Sequence, residues 1–278
     1  MQNITDPDLY ALVLQLAPAA GGPLPDAPGH QVQALFFELV RQVNPELAND
    51  LHADAAGKPF TVATLPRNRR DTLLEVRVAL LATPLWQPVV QALLQQIARP
   101  ALRLGSTPLL LRDVPGTPGS HPWAGFDSYA ALVAAVEPAP RLTLEFVTPT
   151  AISQGTDARG RKKLELLPLP GAVFGALLRR WNLLAPPAFY LNADMVAAAW
   201  AETLISEYQI QTRTEYMKSG PQKGFVGHCT YELPPDPAQQ EGLTLLADAA
   251  FYLGVGAKTT RGMGLCRRVG QATRRAVR

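Results

Sequence analysis

The sequence predicts an α+β protein made of two tandem ferredoxin-like (RRM-like) domains with antiparallel sheets. The chain has 278 residues, of which 47% are hydrophobic, and this is enough to build two small domains with buried cores. Its first half follows the order β-α-β-α-β, with a further strand possible near Phe60–Leu65. The second half repeats the β-α-β-β-α-β pattern of ferredoxin-like folds after a Glu137-Pro-Ala-Pro linker. We therefore expect an N-terminal domain over residues 1–138 and a C-terminal domain over 139–278.

In the first half, apolar spacing decides the type of each element. Leu9–Leu16 is rich in branched apolar residues and ends at a Pro/Gly/Ala stretch, which predicts a strand. After Asp26-Ala-Pro-Gly, apolar residues recur at the spacing of one helix face, which predicts an amphipathic helix. These residues are Val32, Leu35, Phe36, Leu39, Val40 and Val43. The later predictions are a strand at Leu73–Leu81, a helix at Pro88–Ala98 and strand or hairpin material at Leu102–Val114.

The second half shows the same alternation of strands and helices. Leu142–Val147 alternates like a strand, and a helix is predicted from about Gly171 to Leu184. A loop with Gly155, Gly160 and several basic residues separates the two. The remaining elements are strands at Tyr208–Tyr216 and Gly224–Leu233, a helix at Leu243–Leu253 and a strand at Gly264–Val269.

Composition excludes several classes of protein. A net charge of +3 and the high apolar content exclude a disordered chain. The longest apolar runs are far shorter than the roughly 20 residues of a transmembrane helix, and Met1–Tyr10 has no basic region typical of a signal peptide. Cys229 and Cys266 are too few for a disulfide framework, which favours the cytoplasm. Because the four histidines are scattered, we expect no metal site and no cofactor.

Basic residues form three clusters, which are typical of proteins that bind a polyanion. The segment Ala249–Arg278 contains no acidic residue. A purely solubilising role explains the arginines at the C-terminal end of this segment equally well. The basic residues are Lys258, Arg261, Arg267, Arg268, Arg274, Arg275 and Arg278 in this segment, Arg159, Arg161, Lys162 and Lys163 in the second cluster, and Arg67, Arg69 and Arg70 in the third.

The most specific motif is the glycine loop, residues 254–264, with the sequence Gly-Val-Gly-Ala-Lys-Thr-Thr-Arg-Gly-Met-Gly. Its four glycines, with Lys258 and Arg261 between them, suit close approach of the backbone to a phosphate chain. Dinucleotide and triphosphate loops open a helix and space their glycines differently, whereas this loop follows the predicted helix Leu243–Leu253. Tight turns between a helix and a strand are the alternative interpretation.

This loop resembles the Gly-hydrophobic-Gly…Gly-x-Gly signature of the CRISPR-associated precursor-crRNA-processing endoribonucleases of the RAMP superfamily. Three other segments are similar to the family and occur in its order. They are Leu51-His-Ala-Asp-Ala-Ala-Gly-Lys-Pro-Phe-Thr-Val, Phe146-Val-Thr-Pro-Thr and Gly224-Phe-Val-Gly-His-Cys-Thr-Tyr. The resemblance implies a paired ferredoxin-like fold that binds a CRISPR repeat RNA. It further implies metal-free cleavage by the 2′-hydroxyl, a 2′,3′-cyclic phosphate product, and transfer of the crRNA to other subunits of an effector complex.

Such a reaction needs a proton-transfer group and a cation near the phosphate. Histidine is the usual choice, since its ordinary pKa is about 6.5. His30 is our catalytic candidate because a helical wheel places it opposite the apolar stripe, on a polar face with Arg41 and an exposed Phe37. Gln33 occupies the position at which the family often has its catalytic histidine. Two alternatives therefore stay open: a nuclease that uses His30, or a non-catalytic crRNA-binding subunit.

The candidate RNA contacts are the residues of the glycine loop, the basic loop of the second half and one further lysine. They are Gly254, Gly256, Lys258, Arg261, Gly262 and Gly264, then Arg159, Arg161, Lys162 and Lys163, and Lys58. His52, His121 and His228 are predicted to be structural or loop residues. A general RNA-binding protein with tandem RRM-like domains is disfavoured, because no strand carries the aromatic pattern of such proteins.

Overall fold

The computed structural model describes residues 6–53, 57–68, 70–97 and 102–270. The elements of the first half are β1 (Leu9–Pro18), α1 (Gly29–Val43), α2 (Pro45–Ala53), β2 (Phe60–Thr64), β3 (Leu74–Leu80), α3 (Trp86–Ile97), β4 (Leu102–Leu104), β5 (Thr107–Asp113), β6 (Gly125–Asp127) and α4 (Tyr129–Ala134). Those of the second half are β7 (Arg141–Thr150), β8 (Ile152–Thr156), β9 (Lys162–Glu165), α5 (Pro170–Leu184), α6 (Ala193–Glu202), β10 (Leu204–Met217), β11 (Gly220–Glu232), α7 (Pro237–Leu253) and β12 (Cys266–Arg268).

Both main sheets have the strand order of a ferredoxin-like fold. The first sheet runs β2-β3-β1-β5-β4, with β6 also paired to β1, and the second runs β10-β11-β7-β12. The strands in both sheets pair antiparallel. The predicted fold class is therefore confirmed. The boundary between residues 138 and 139 stays a prediction, because buried residues of both halves share one hydrophobic cluster.

Strand β1 is apolar throughout because both faces of the first sheet are buried there. Leu12 and Leu14 belong to a core with side chains of α1 and α3. Leu9, Ala11 and Val13 point to the other face, where they join the cluster that contains the buried side of α7. Alternate residues of a strand face opposite sides. The core between the halves thus fixes the end of α7, where the glycine loop begins.

Arg77 of β3 fastens the end of α7 to the first sheet. The side chain is 1% exposed, and its Nε and Nη2 donate to the carbonyl oxygens of Trp123 (3.0 Å) and Phe251 (2.5 Å). The last carbonyls of a helix lack partners within the helix and attract cations. Arg77 therefore both satisfies a helix terminus and compensates its own burial.

The structure contains short elements that the periodicity of the sequence did not predict: α2, α4, α6 and β6. The predicted basic loop forms the hairpin β8–β9. The expectation of an exposed Phe37 is wrong: this ring is 6% exposed, with its centroid 5.4 Å from that of His52 and 5.7 Å from that of Phe60. Helix α2, which follows α1 directly, covers the face that the helical wheel had assigned to solvent. None of the described helices is long and apolar enough to span a membrane.

Candidate active site

The glycine loop of the second half closes on the first turn of α1 in the first half. The backbone N–H of Gly262 donates to the carbonyl oxygen of Val62 on β2 at 3.0 Å. A Cβ atom on Gly29 would lie only 1.8 Å from the carbonyl oxygen of Arg261, which no side chain tolerates. Glycine at position 29 is therefore what lets the helix and the loop approach, and the site is assembled from both halves.

The glycines of the loop serve its packing. Gly254, Gly256, Gly262 and Gly264 have φ angles of 65°, 82°, 89° and 73°, values that favour glycine. A Cβ on Gly256 would lie 2.5 Å from the carbonyl oxygen of Ala151, and one on Gly264 would lie 2.1 Å from that of Val255. The tight-turn interpretation thus describes these glycines well, while their contact with RNA stays a prediction. The cationic side chains of the loop are the groups suited to a phosphate.

Lys258 adopts an unusual backbone conformation within this loop. Its φ of 62° and ψ of 31° are left-handed, a region that costs a non-glycine residue free energy and is common at functional sites. Its ammonium group donates to Oε1 of Gln222 on β11 at 3.0 Å. Burial lowers the pKa of Lys258, and the nearby charges of Arg261 and Lys162 lower it further. Cations from the loop and from β9 therefore converge, which favours a bound anion.

Gln33 connects α1 to the glycine loop. This side chain is 9% exposed. Its Nε2 donates to Oγ1 of Thr260 at 3.2 Å, and its Oε1 accepts from Nε of Arg261 at 3.2 Å. Because an amide donates and accepts at the same time, Gln33 orients the guanidinium group. Gln33 thus holds a cation of the glycine loop in place; its correspondence to the family's histidine stays a prediction.

His30 lies in the first turn of α1, one turn before Gln33. Its imidazole is partly buried, and Nδ1 has no hydrogen-bond partner among the described residues. Glu215 of β10 accepts a hydrogen bond from the backbone N–H of Gly29 at 2.8 Å. Burial raises the pKa of Glu215, while this N–H and the charge of His30 oppose the shift. A histidine, a carboxylate and the cations of the glycine loop thus surround the start of α1.

The basic hairpin β8–β9 carries the second group of candidate RNA contacts. Arg159, Arg161, Lys162 and Lys163 are all exposed. Arg161 pairs with Asp157 through Nε at 2.7 Å, and its backbone and side-chain hydrogen bonds lower the pKa of Asp157. Leu164 of β9 packs against the small cluster that contains Met263 of the glycine loop, so β9 lies beside this loop.

The side chain of Lys58 binds within the protein, at the end of α2. Its ammonium donates to the carbonyl oxygen of Leu51, donates to that of His52 at 2.9 Å, and lies 5.9 Å from the centroid of the Phe37 ring. These carbonyls belong to the last turn of α2, where a cation is favourable. Contact of Lys58 with RNA stays a prediction.

Three other basic residues of these clusters form ion pairs within the protein. Arg267 pairs with Glu145 at 2.6 Å, Arg268 with Asp248 at 3.0 Å and Arg67 with Asp26 at 3.4 Å. Arg69, Arg274, Arg275 and Arg278 lie outside the described residues.

The remaining histidines lie in other surroundings. His52 contacts the ring of Phe37, His121 accepts from the backbone N–H of Trp123 at 3.1 Å, and His228 lies 3.8 Å from Glu145.

Sequence reasoning missed Glu215, Gln222 and Thr260. Glu215 and Gln222 lie in strands, and an alternating apolar pattern predicts a strand. Such a pattern does not show which of its polar residues contacts another element. Thr260 lies inside the glycine loop, where attention fell on the cations.

Two ferredoxin-like folds, with a glycine loop packed on the first helix beside a cluster of cations, define a RAMP-type RNA-binding protein. The family described as CRISPR-associated endoribonuclease Cas6 matches residues 144–266, and its N-terminal domain, described as CRISPR Cas6 N-terminal domain, matches residues 9–134. The chain therefore belongs to the Cas6 family of CRISPR-associated endoribonucleases, as the resemblance in sequence predicted. No curated protein matches the sequence.

Solved structures of Cas6 proteins are similar over nearly the whole chain. A Cas6 product complex is 32% identical with a TM-score of 0.84 and covers 95% of this chain and 100% of its own. Thermus thermophilus Cas6 is 30% identical, with a TM-score of 0.74 and the same coverage. A second Cas6 product complex is 28% identical, with a TM-score of 0.72, and covers 94% of this chain and 98% of its own.

Proposed function

We propose that this Cas6 protein cleaves the repeat of precursor crRNA at the contact between α1 and the glycine loop, without a metal ion. The observation that carries the proposal is the packing of the helix turn that carries His30 against the backbone of Arg261, in the loop of the other half that also carries Lys258. A histidine supplies proton transfer, and fixed cations stabilise charge that develops on a phosphate. We place the reaction in the cytoplasm, in keeping with the free cysteines Cys229 and Cys266.

In the proposed reaction the 2′-hydroxyl of one nucleotide attacks the adjacent phosphorus, and the bond from phosphorus to the 5′-oxygen breaks. The products are a 2′,3′-cyclic phosphate and a 5′-hydroxyl. His30 accepts the proton of the 2′-hydroxyl or donates one to the leaving 5′-oxygen, and solvent water carries the other proton. Arg261 and Lys258 offset the negative charge of the pentacoordinate phosphorane. Gln33 acts through Arg261, which it orients.

The solved relatives support RNA processing as the function. Some of the matching structures are Cas6 product complexes, and another is a Cas6 complex with a substrate mimic. A further one is a Cas6 variant in which a histidine is replaced by alanine. In this chain the histidine in the helix turn packed on the glycine loop is His30.

The test is incubation of the purified protein with its own CRISPR repeat RNA in excess EDTA. We expect one cut, with a 5′-hydroxyl that polynucleotide kinase labels directly and a 2′,3′-cyclic phosphate detected by mass spectrometry. A repeat with a 2′-deoxynucleotide at the mapped site should bind but not be cut. A 5′-phosphate product, or cleavage that appears only after a divalent metal is added, would overturn the metal-free mechanism.

A second candidate is a non-catalytic crRNA-binding subunit of a CRISPR effector complex. The observation that favours it is Gln33, which occupies the family's histidine position and cannot transfer protons at neutral pH. Tight binding of the repeat without any cut, by a fully folded protein, would select this alternative.

Retention of the cut RNA, measured as slow release of labelled product, would support transfer of the crRNA to partner subunits.

Lys258 offers a test of phosphate binding that separates binding from stability. We expect Lys258→Gly to weaken the affinity for repeat RNA about tenfold and to reduce the slope of log Kd against log salt by about 0.7, the contribution of one phosphate contact on a single strand. Because glycine adopts φ of 62° without strain, the thermal midpoint should stay constant or rise. Filter binding at several salt concentrations and a thermal melt measure both effects.

The matched control for Lys258→Gly is Arg112→Ala, which removes an exposed cation from β5. The control should leave the salt slope unchanged. Equal slopes for wild type and Lys258→Gly would show that Lys258 contacts no phosphate.

A further inference from the structure

The first turn of α1 receives its cap from the other half of the chain. Pro28 precedes the helix and has no polar side chain that could cap it. Instead, Oε1 of Glu215 accepts from the backbone N–H of Gly29 at 2.8 Å, across a sequence separation of 186 residues. The first N–H groups of a helix lack partners within it, and negative charge is favourable there. Glu215 therefore joins β10 to the helix turn that carries His30.

The carboxylate of Glu215 is also held against the glycine loop. A Cβ placed on Gly262 would lie 3.9 Å from Oε1 of Glu215, so that carboxylate, helix and loop meet at one point. A partly buried carboxylate is costly without compensation. The N–H of Gly29 and the electrostatic attraction of His30 supply it.

We propose that Glu215 is a positioning residue for cleavage: it anchors the first turn of α1 to the second half and holds the imidazole of His30 beside the cations of the glycine loop. This inference rests on the proposed function. A carboxylate is repelled by RNA phosphates, so Glu215 adds nothing to affinity. Its effect is expected in the cleavage rate of the bound complex and in the pH dependence of that rate.

Two substitutions separate the hydrogen bond from the charge. Glu215→Gln keeps a carbonyl oxygen that can accept from Gly29 but removes the negative charge. Glu215→Ala removes both. The matched control is Glu207→Gln on the same strand, where the carboxylate is exposed and pairs with Arg141 at 2.8 Å.

The measurements are the single-turnover cleavage rate at saturating protein, the Kd for the repeat and the pH–rate profile. We expect Glu215→Ala to cleave about 100-fold more slowly, the cost of a misplaced catalytic group, with Kd unchanged or lower. Glu215→Gln should cleave about tenfold more slowly. The pH–rate profile of Glu215→Gln should differ from that of wild type, because the substitution removes a negative charge beside the first turn of α1. Glu207→Gln should behave as wild type.

A purely structural cap would give a different result. Glu215→Gln would then match wild type in rate and in pH profile, and only Glu215→Ala would be slow and less stable; this outcome would overturn the inference. If the wild type binds the repeat but does not cut it, the proposed function fails. If the wild type cuts the repeat and Glu215→Gln cuts it equally fast with the same pH profile, the inference alone fails.

Discussion

Replacement of His30 by alanine is expected to slow cleavage of the repeat RNA by about 1,000-fold, within the range that a proton-transfer side chain contributes. The imidazole lies at the contact of α1 with the glycine loop, and its Nδ1 has no hydrogen-bond partner among the described residues. The cations Lys258 and Arg261 stay in place in this variant, so the affinity for the repeat should stay nearly constant. Single-turnover kinetics in EDTA and filter binding measure the two quantities separately.

The control for His30→Ala is His228→Ala. His228 lies on β11 with its side chain 49% exposed, 3.8 Å from Glu145, and its loss should leave the cleavage rate unchanged. Added imidazole should restore part of the activity of His30→Ala but have no effect on His228→Ala. If His30→Ala cleaved the repeat at the wild-type rate, a residue other than His30 would transfer the proton.

The elements that the sequence predicted well are those whose apolar pattern reports burial directly. The helical period of Val32 to Val43 marks α1, and the continuous apolar run of β1 marks a strand. The glycine loop was found because its glycines are needed locally: four positive φ angles cannot be supplied by other residues without strain. Lys258 and Arg261 then followed from their position inside the motif.

The parts of the site that the sequence did not predict depend on contacts between the halves. Glu215 is one polar residue among several in an alternating strand, and only the packing of β10 beside α1 distinguishes it. The expectation that Phe37 is exposed was wrong for a related reason. A helical wheel describes one helix alone, so it cannot show that a second helix, here α2, covers Phe37. Gln33 was noticed as a departure from the family, but its bond to Arg261 could be seen only once the loop had been placed.

The tightest of these contacts leads to the second large effect, that of Gly29→Ala. The new Cβ would lie 1.8 Å from the carbonyl oxygen of Arg261 and 2.7 Å from Cα of Gly262. Both atoms belong to backbone, so the helix and the loop have to separate. We expect the free energy of unfolding to fall by about 2 kcal/mol, as for other overpacked contacts. Cleavage should slow by about 100-fold, because the first turn of α1 would shift relative to the loop.

The sign of the change in stability is what makes Gly29→Ala informative. In an open helix position, alanine is favoured over glycine by up to about 1 kcal/mol. Gly171→Ala is the matched control, since Gly171 lies in the first turn of α5 and its Cβ would meet Trp200 at an ordinary 3.4 Å. Urea unfolding should show Gly171→Ala as stable as wild type or more so, and Gly29→Ala as less stable. If both variants gained stability and cleaved the repeat at the wild-type rate, α1 and the glycine loop would not need to touch for the reaction.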